Sequence, residues 1–163
     1  MILIALGGNL ASLVGEPART LDAALSALKS GGVNIEAVSP YYVTPAWPDP
    51  SDPPYVNAVA RIATALPPAD LLRLLHQTET AFGRVRSIKN APRVLDIDLL
   101  DYDSAIEPGP PQLPHPRLEG RAFVLVPLAD VAPHWVHPVT GRSVRALLEA
   151  LPLEARNLKK FTS

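Results

Sequence analysis

The order of strand-like and helical segments constrains the fold of this 163-residue chain more than any other feature. An apolar run predicts a strand over 2–6, and leucines spaced by three and four residues predict a helix over 16–30. Strand-forming residues recur across 33–44 and across 55–65. A second helix is predicted over 67–82, because its opening prolines are tolerated in a first turn and its apolar residues keep helical spacing. Two helices are therefore separated by two or three consecutive strands.

The segments after the second helix complete this order. Alternating apolar residues predict a strand over 95–99, the run "FVLV" predicts a short strand over 123–126, and apolar spacing predicts a last helix over 143–151. The β-α-β-β-α-β order predicts an α+β fold: a ferredoxin-like sandwich with an antiparallel sheet and helices on one or both faces. Because the sequence has no internal repeat and no linker, residues 1–163 are expected to form a single domain.

The amino-acid composition indicates where the protein is located and which classes of partner it lacks. The 19 prolines cluster mainly at 45–54, 67–68, 108–116 and 127–138, which predicts long, stiff loops because proline fixes φ. The net charge of −1 argues against a general nucleic-acid binder, and the absence of cysteine excludes disulfides and thiolate metal sites. The apolar run at the start is too short for a signal peptide or a membrane span. We expect a cytoplasmic monomer without a nucleic-acid or membrane partner.

A pair of aspartates interrupts the apolar stretch "PRVLDIDLL" at 92–100. On a strand, Asp96 and Asp98 would share one face, about 6–7 Å apart, while the apolar residues between them face the core. Two such carboxylates repel each other, so a cation such as Mg²⁺ is a natural partner for them. The alternative is an exposed strand face that carries two solvated acids.

A basic loop at 84–93 runs directly into this strand and contains Arg84, Arg86, Lys89 and Arg93. Arginine makes bidentate contacts to phosphate oxygens, so the loop and the aspartates together suit a polyphosphate bound with Mg²⁺. The alternative is a solvated loop whose surface ion pairs contribute at most about 1 kcal/mol each. The sequence has no Walker A loop and no protein-kinase motifs, so ATP would be bound on a different scaffold.

A second cluster lies in "LPHPRLEGRAFVLVPL" at 113–128, where His115 stands near Arg117 and Arg121. A histidine beside two arginines can contact phosphates or transfer a proton, although an isolated histidine more often packs in a turn. The histidines within 134–137 flank a tryptophan and are expected to be structural.

The loop at 41–58 carries the aromatic residues Tyr42, Trp47 and Tyr55, together with Asn57. Aromatic rings supply apolar platforms, and an asparagine amide can pair with the donor–acceptor edge of a heterocycle. This set suits a flat, nitrogen-rich ring. Alternatively, the aromatic side chains only fasten a long loop to the core.

Four stretches, in order and at suitable spacing, resemble the 6-hydroxymethyl-7,8-dihydropterin pyrophosphokinase family. They are "LGGNL", "TPAWPDPSDPPYVNAV", "ETAFGRVR…APRVLDIDLL" and "LPHPRLEGRAFVLVPLADVAP", and together they cover residues 4–133. The resemblance implies one pyrophosphokinase domain that transfers a pyrophosphoryl group from ATP to the hydroxymethyl group of the pterin. The products would be the pterin diphosphate and AMP, in a step of tetrahydrofolate biosynthesis.

The resemblance also implies roles for individual residues. Two acids would hold two Mg²⁺ ions that bridge the ATP phosphates, namely Asp96 and Asp98. These acids and the arginines of the basic loop would form the catalytic set, in which the arginines Arg84, Arg86 and Arg93 also contact ATP. Further ATP contacts would come from Glu79, His115 and Arg121. The pterin pocket would be formed by Thr44, Pro45, Trp47, Tyr55, Asn57 and Phe123.

Two other functions fit the residues without the resemblance. A non-catalytic ferredoxin-like binding module could use the paired aspartates as a structural cation site. A nucleotidyltransferase could also use metals held by paired aspartates, and it would release pyrophosphate instead of AMP.

Overall fold

The computed structural model describes residues 1–85 and 91–163. The strands within these residues are β1 (Ile2–Gly8), β2 (Asn34–Val38), β3 (Tyr42–Thr44), β4 (Tyr55–Ala63), β5 (Asp96–Tyr102) and β6 (Lys159–Lys160). The helices are α1 (Pro17–Ser30), α2 (Pro68–Ala81), α3 (Ala122–Val131), α4 (Val144–Glu149) and α5 (Leu153–Arg156).

All strand pairs of the six-stranded sheet are antiparallel, as predicted. The strand β1 lies between β4 and β5, and β5 forms one edge of the sheet. The other edge of β4 is shared, because β2 pairs with its second half and β3 pairs with residues 55–57. The C-terminal β6 extends the sheet beyond β3. The α+β class and the antiparallel sheet predicted from the sequence are therefore confirmed.

Helices cover both faces of the sheet, and each face has its own apolar core. The helices α1 and α2 pack on one face through residues such as Leu21, Leu28, Leu71 and Leu75, all of them 0% exposed. The helices α3 and α4 pack on the opposite face, where Leu125 and Leu128 contribute to a second cluster. Alternation along each strand divides its side chains between these cores.

The two long helices begin and end where the sequence predicts. Each has a proline at the start, Pro17 in α1 and Pro68 in α2, where the missing N–H would have no intrahelical acceptor. Each is followed by a glycine with positive φ, +96° at Gly32 and +98° at Gly83. A side chain disfavours that conformation, so the glycines let the chain turn away after the last helical turn.

The prediction of a strand over 123–126 is wrong, because this segment belongs to α3. The segment is apolar on nearly every side, and a short apolar run of this kind has no periodicity that separates a strand from a buried helix. The helix predicted over 143–151 is confirmed as α4, and a short unpredicted helix, α5, follows it. The N-cap of α4, Ser143, accepts a hydrogen bond from the N–H of Ala146 at 3.1 Å.

Within residues 1–85 and 91–163, no helix is long and apolar enough to cross a membrane.

Candidate active site

Two polar residues and a glycine form a row across neighbouring strands on the face of the sheet that α3 covers. In the strand register, Gly7 of β1 lies opposite Asn57 of β4 on one side and opposite Asp96 of β5 on the other. Two strand spacings separate the amide from the carboxylate, which corresponds to about 10 Å between their backbones. Because the central residue has no side chain, the Asn57 amide has room to lie beside it.

This row lies within a cavity of about 600 Å³. Residues predicted from the sequence to bind substrate or metal line much of it: Thr44, Pro45, Trp47, Tyr55, Asn57, Arg93, Asp96, Asp98, Arg121 and Phe123. The structure thus brings both halves of the predicted site, the pterin set and the phosphate set, into one space. A cavity of this size and mixed lining is typical of a small-molecule site.

Asp96 and Asp98 lie on the same face of β5. The alternate residues Ile97 and Leu99 point to the opposite face and are buried in the core under α1 and α2. The expected alternation is therefore confirmed. Burial, and next the negative charge of Asp96, raise the pKa of Asp98 to about 6. A cation that enters the cavity would stabilise the ionised form of this partly buried acid.

An ion-pair network joins Asp96 to the residues before it. Nη1 of Arg84 donates to Glu79 Oε2 at 2.7 Å and also to Asp96 Oδ1, while Nη1 of Arg93 donates to Asp96 Oδ2 at 3.0 Å. Burial alone would raise the pKa of Asp96, but the charges and hydrogen bonds of these arginines outweigh it, and the pKa lies below its usual range. Asp96 is therefore held as a carboxylate.

Glu79 lies beneath this network and not in the cavity lining. Its side chain is 1% exposed, and its Oε2 also accepts the N–H of Ile97 at 2.8 Å. Burial raises the pKa of Glu79 to about 7. The structure thus places Glu79 as a support for Arg84 and β5, whereas the family resemblance implies a contact with ATP.

Arg84 Nε is buried and has no hydrogen-bond acceptor among residues 1–85 and 91–163. A buried guanidinium N–H without a partner is costly unless a ligand supplies an acceptor, and phosphate oxygens suit this geometry. Arg86, the other predicted arginine of the basic loop, lies outside the described residues.

His115 lies beside the acids, with its Nε2 at 4.0 Å from Asp98 Oδ1. Its Nδ1 accepts the N–H of Arg117 at 3.2 Å, so the proton of the neutral ring is on Nε2. Burial, followed by the charges of Arg121 and Arg117, lowers the pKa of His115 to about 4. The histidine is therefore neutral near pH 7, and its contact with Asp98 is not an ion pair.

The other end of the cavity is built around Asn57. Its Nδ2 donates to Thr44 Oγ1 at 2.7 Å, which fixes the amide between β3 and β4. The ring of Phe123 lies 5.4 Å from the guanidinium carbon of Arg121, so this aromatic residue is held at the junction of the two halves of the site. The indole of Trp47 is 73% exposed at the cavity.

The donor set fits Mg²⁺. This ion takes hard oxygen ligands and is usually held by one or two carboxylates together with substrate phosphates. Asp96 and Asp98 supply two carboxylates, and burial and the charge of Asp96 raise the pKa of Asp98 despite the nearby arginines. Among the residues that the structure describes, no group of three or more histidine, aspartate or glutamate side chains is arranged as a metal cage. The fit is thus to a metal shared with phosphates.

Asn9 is a residue of the site region whose role the sequence analysis missed. It is 4% exposed, and its Nδ2 donates to the carbonyl of Pro53 at 3.0 Å while its Oδ1 accepts the N–H of Arg93 at 2.8 Å. The proline-rich loop and the loop that carries Arg93 are therefore joined by one side chain. The only signal was its place in "LGGNL", since a lone asparagine gives no indication of such a bridge.

Comparison with known proteins identifies the family of the chain. The sequence profile of the 7,8-dihydro-6-hydroxymethylpterin-pyrophosphokinase family matches residues 3–133. A 2-amino-4-hydroxy-6-hydroxymethyldihydropteridine pyrophosphokinase of Synechocystis sp. is 37% identical over 155 residues, covering 94% of this chain and 77% of that protein. A protein of the same name from Pseudomonas aeruginosa is 40% identical over 155 residues, covering 94% of this chain and 93% of that protein. Another protein of this name, from Methylorubrum extorquens, is 40% identical over 145 residues, covering 88% of this chain and 90% of that protein.

The profile spans most of the chain, and these relatives align along most of their lengths. The predicted resemblance of the four motifs is therefore confirmed: the chain belongs to the 7,8-dihydro-6-hydroxymethylpterin-pyrophosphokinase family.

Proposed function

We propose that this protein transfers a pyrophosphoryl group from ATP to 6-hydroxymethyl-7,8-dihydropterin, giving the pterin diphosphate and AMP in folate biosynthesis. One observation carries the proposal beyond family membership. Asn57 and Asp96 lie at opposite ends of the row through Gly7, within one cavity that Arg93 and Asp98 also line. That arrangement suits a flat heterocycle at one end and a triphosphate at the other.

The pterin is held by the amide and the aromatic residues. After the hydrogen bond to Thr44, the Asn57 amide still has a second N–H and a carbonyl oxygen with which to recognise the ring edge. Tyr55 and Phe123 line the cavity and supply apolar area, and Trp47 and Pro45 complete this half of the pocket.

The triphosphate is held by cationic side chains. Arg93, Arg121 and Arg117 line the cavity, and Arg84 lies directly behind Asp96. These guanidinium groups stabilise the charge that develops on the phosphate oxygens during transfer, and Arg86 is assigned to the same set. The neutral His115 contributes a hydrogen-bond donor beside Asp98.

Asp96 and Asp98 would hold two Mg²⁺ ions. When bound, such ions neutralise phosphate charge and align the reacting oxygens. The chain's own residues provide the positions: both carboxylates project from β5 into the cavity, within reach of the lining arginines.

In the reaction, the pterin hydroxyl oxygen forms a bond to the β-phosphorus of ATP. The bond from that phosphorus to the oxygen bridging the α- and β-phosphates breaks, and AMP leaves with that oxygen. The hydroxyl proton is released as the new bond forms. Positioning and charge stabilisation account for most of the catalysis, since phosphoryl-type transfer needs little covalent participation by the protein.

We further propose that the sheet order β5-β1-β4-β2 is a ferredoxin-like core and that residues 1–163 act as one pyrophosphokinase domain. In this arrangement, β3 and β6 are additions at the edge next to β2. The protein is proposed to work as a cytoplasmic monomer on small-molecule substrates.

The test is product identity. The protein is incubated with ATP, Mg²⁺ and 6-hydroxymethyl-7,8-dihydropterin, and nucleotides are separated by chromatography. AMP that forms only when the pterin is present supports the proposal. Release of pyrophosphate would identify a nucleotidyltransferase instead, and the absence of any product would favour a binding module.

A further inference from the structure

The segment that carries two of the lining arginines is fixed at its first end by backbone bonds. We call residues 115–121 the arginine segment, because Arg117 and Arg121 line the cavity. At its start, the N–H of His115 donates to the carbonyl of Leu100 on β5 at 2.9 Å. In its middle, Leu118 is 1% exposed and packs in the core under α3.

The last part of the arginine segment is held by a side chain. Glu119 Oε1 lies 3.3 Å from Nε2 of His137, and neither residue lines the cavity. The other ring nitrogen of His137, Nδ1, accepts the N–H groups of Val139 and Thr140, each at 3.2 Å. An acceptor nitrogen carries no proton, so the ring has its proton on Nε2, the nitrogen that faces Glu119 Oε1.

His137 is in turn held close to β5. Its ring is 6% exposed and meets the ring of Trp135 edge-on, with centroids 5.7 Å apart. The indole Nε1 of Trp135 donates to Oδ2 of the buried Asp101 at 2.7 Å. Asp101 is on the same strand as Asp98, so these contacts connect the strand that carries the paired acids to the end of the arginine segment.

We propose that Glu119 and His137 are positioning residues for ATP: the contact between Glu119 Oε1 and His137 Nε2 holds the arginine segment so that Arg117 and Arg121 face the triphosphate. This inference rests on the proposed function. It adds two residues, neither of them in the cavity, to the set that controls nucleotide binding.

The charge of Glu119 makes the proposal easy to separate from a purely electrostatic effect. A carboxylate close to two phosphate-binding arginines weakens the local positive potential, so removing it should strengthen ATP binding if charge alone matters. If the contact with His137 positions the arginines, removing it should weaken ATP binding. The two explanations predict opposite signs for Glu119→Ala.

The experiment compares Glu119→Ala with Glu119→Gln, which loses the charge but keeps an oxygen that can accept from His137. Dissociation constants for a non-hydrolysable ATP analogue with Mg²⁺ are measured by calorimetry, and KM is measured for both substrates. We expect Glu119→Ala to raise the analogue Kd and the KM for ATP about fivefold, the size of effect of a single polar contact. The KM for the pterin should change less than about twofold, and Glu119→Gln should resemble the wild type.

His137→Gln provides the conservative variant on the other side of the contact, since its amide can still donate toward Glu119. It should retain more ATP affinity than His137→Ala. Thermal unfolding of each variant shows whether a change in binding only follows a loss of folded protein.

Unchanged or tighter analogue binding by Glu119→Ala would overturn the inference, as would an equal rise in both KM values. A wild-type protein that binds the analogue but forms no AMP would refute the proposed function instead. The calorimetric comparison would still decide the role of Glu119 and His137 in nucleotide binding.

Discussion

Asn57 donates a hydrogen bond from Nδ2 to Thr44 Oγ1 at 2.7 Å, joining the two strands at one end of the cavity. Both residues are more than nine-tenths buried, at 8% and 7% exposed. The bond fixes the plane of the amide before any ligand arrives. A preorganised amide of this kind loses little conformational entropy when it pairs with a heterocycle.

Removing the amide should therefore weaken the binding of the pterin more than the binding of ATP. For Asn57→Ala we expect the KM for the pterin to rise about tenfold or more, the cost of about 1.4 kcal/mol when a polar ring edge loses its partner. The KM for ATP should stay within about twofold. Steady-state kinetics with each substrate varied in turn measures both values. Asn34→Ala, at an exposed position of β2, is the matched control, and parallel rises in both KM values would contradict ring-edge recognition.

A methyl group at Gly7 should disturb the same amide from the opposite strand. A Cβ built there would lie 2.5 Å from Asn57 Oδ1, well inside van der Waals contact. Gly7→Ala should therefore displace Asn57, raise the KM for the pterin and lower the free energy of unfolding by about 1–3 kcal/mol. Asn34→Ala, at an exposed position of β2, again serves as the control. Wild-type kinetics in Gly7→Ala would show that Asn57 need not occupy this position.

The sequence predicts the helices and the candidate residues better than it predicts their arrangement. Leucine spacing and the terminal prolines and glycines locate α1 and α2, because these signals are local. The opposition of Asn57, Gly7 and Asp96 depends on the register of three strands that are distant in the chain, and local patterns do not specify such pairing.

Two other features escaped prediction for related reasons. The strand β6 at Lys159–Lys160 has only two residues, so it carries no period, and it forms by pairing with β3. The support that Glu79 gives to Arg84 and Ile97 depends on tertiary packing, which brings the end of α2 against β5. Motif resemblance named Glu79 but did not indicate that it is buried.

Glu79 should contribute to stability. In Glu79→Ala, Arg84 loses one of its two carboxylate partners and the N–H of Ile97 loses its acceptor. We expect the free energy of unfolding to fall by about 3 kcal/mol, the lower end for a broken buried ion pair, because Asp96 remains bonded to Arg84. Chemical denaturation measures the change. The same substitution at the exposed Glu154 should have little effect, and an equally small effect at Glu79 would argue against its supporting role.

The raised pKa of Asp98 predicts a specific dependence of stability on pH. Burial and the charge of Asp96 raise this pKa to about 6 in the folded protein, above the usual value of 3.8. An acid of this kind binds its proton more tightly in the folded chain, so its contribution to the free energy of unfolding decreases as pH rises from about 4 to about 6. Above that range the ionised carboxylate destabilises the metal-free protein by a constant amount.

The comparison of Asp98→Asn with the wild type isolates this effect, because other titrating groups are common to both proteins. Without metal, Asp98→Asn should be the more stable protein at pH 7.5, and its advantage should shrink as pH falls through 6 toward 4. Denaturation curves at several pH values give the difference. A difference that stays constant between pH 4 and pH 8 would mean that the Asp98 pKa is not raised.

The central claim is that Asp96 and Asp98 act together on the triphosphate. The most direct test is the rate of AMP formation by Asp96→Ala and Asp98→Ala at saturating ATP, pterin and Mg²⁺, compared with Asp103→Ala. Asp103 follows the same strand, but its carboxylate pairs with the N-terminal amine and lies outside the cavity lining. We predict that both cavity variants fold yet lose turnover, by about 10²–10³-fold or more, while Asp103→Ala keeps wild-type turnover. Near-normal AMP formation by either folded cavity variant would contradict the account.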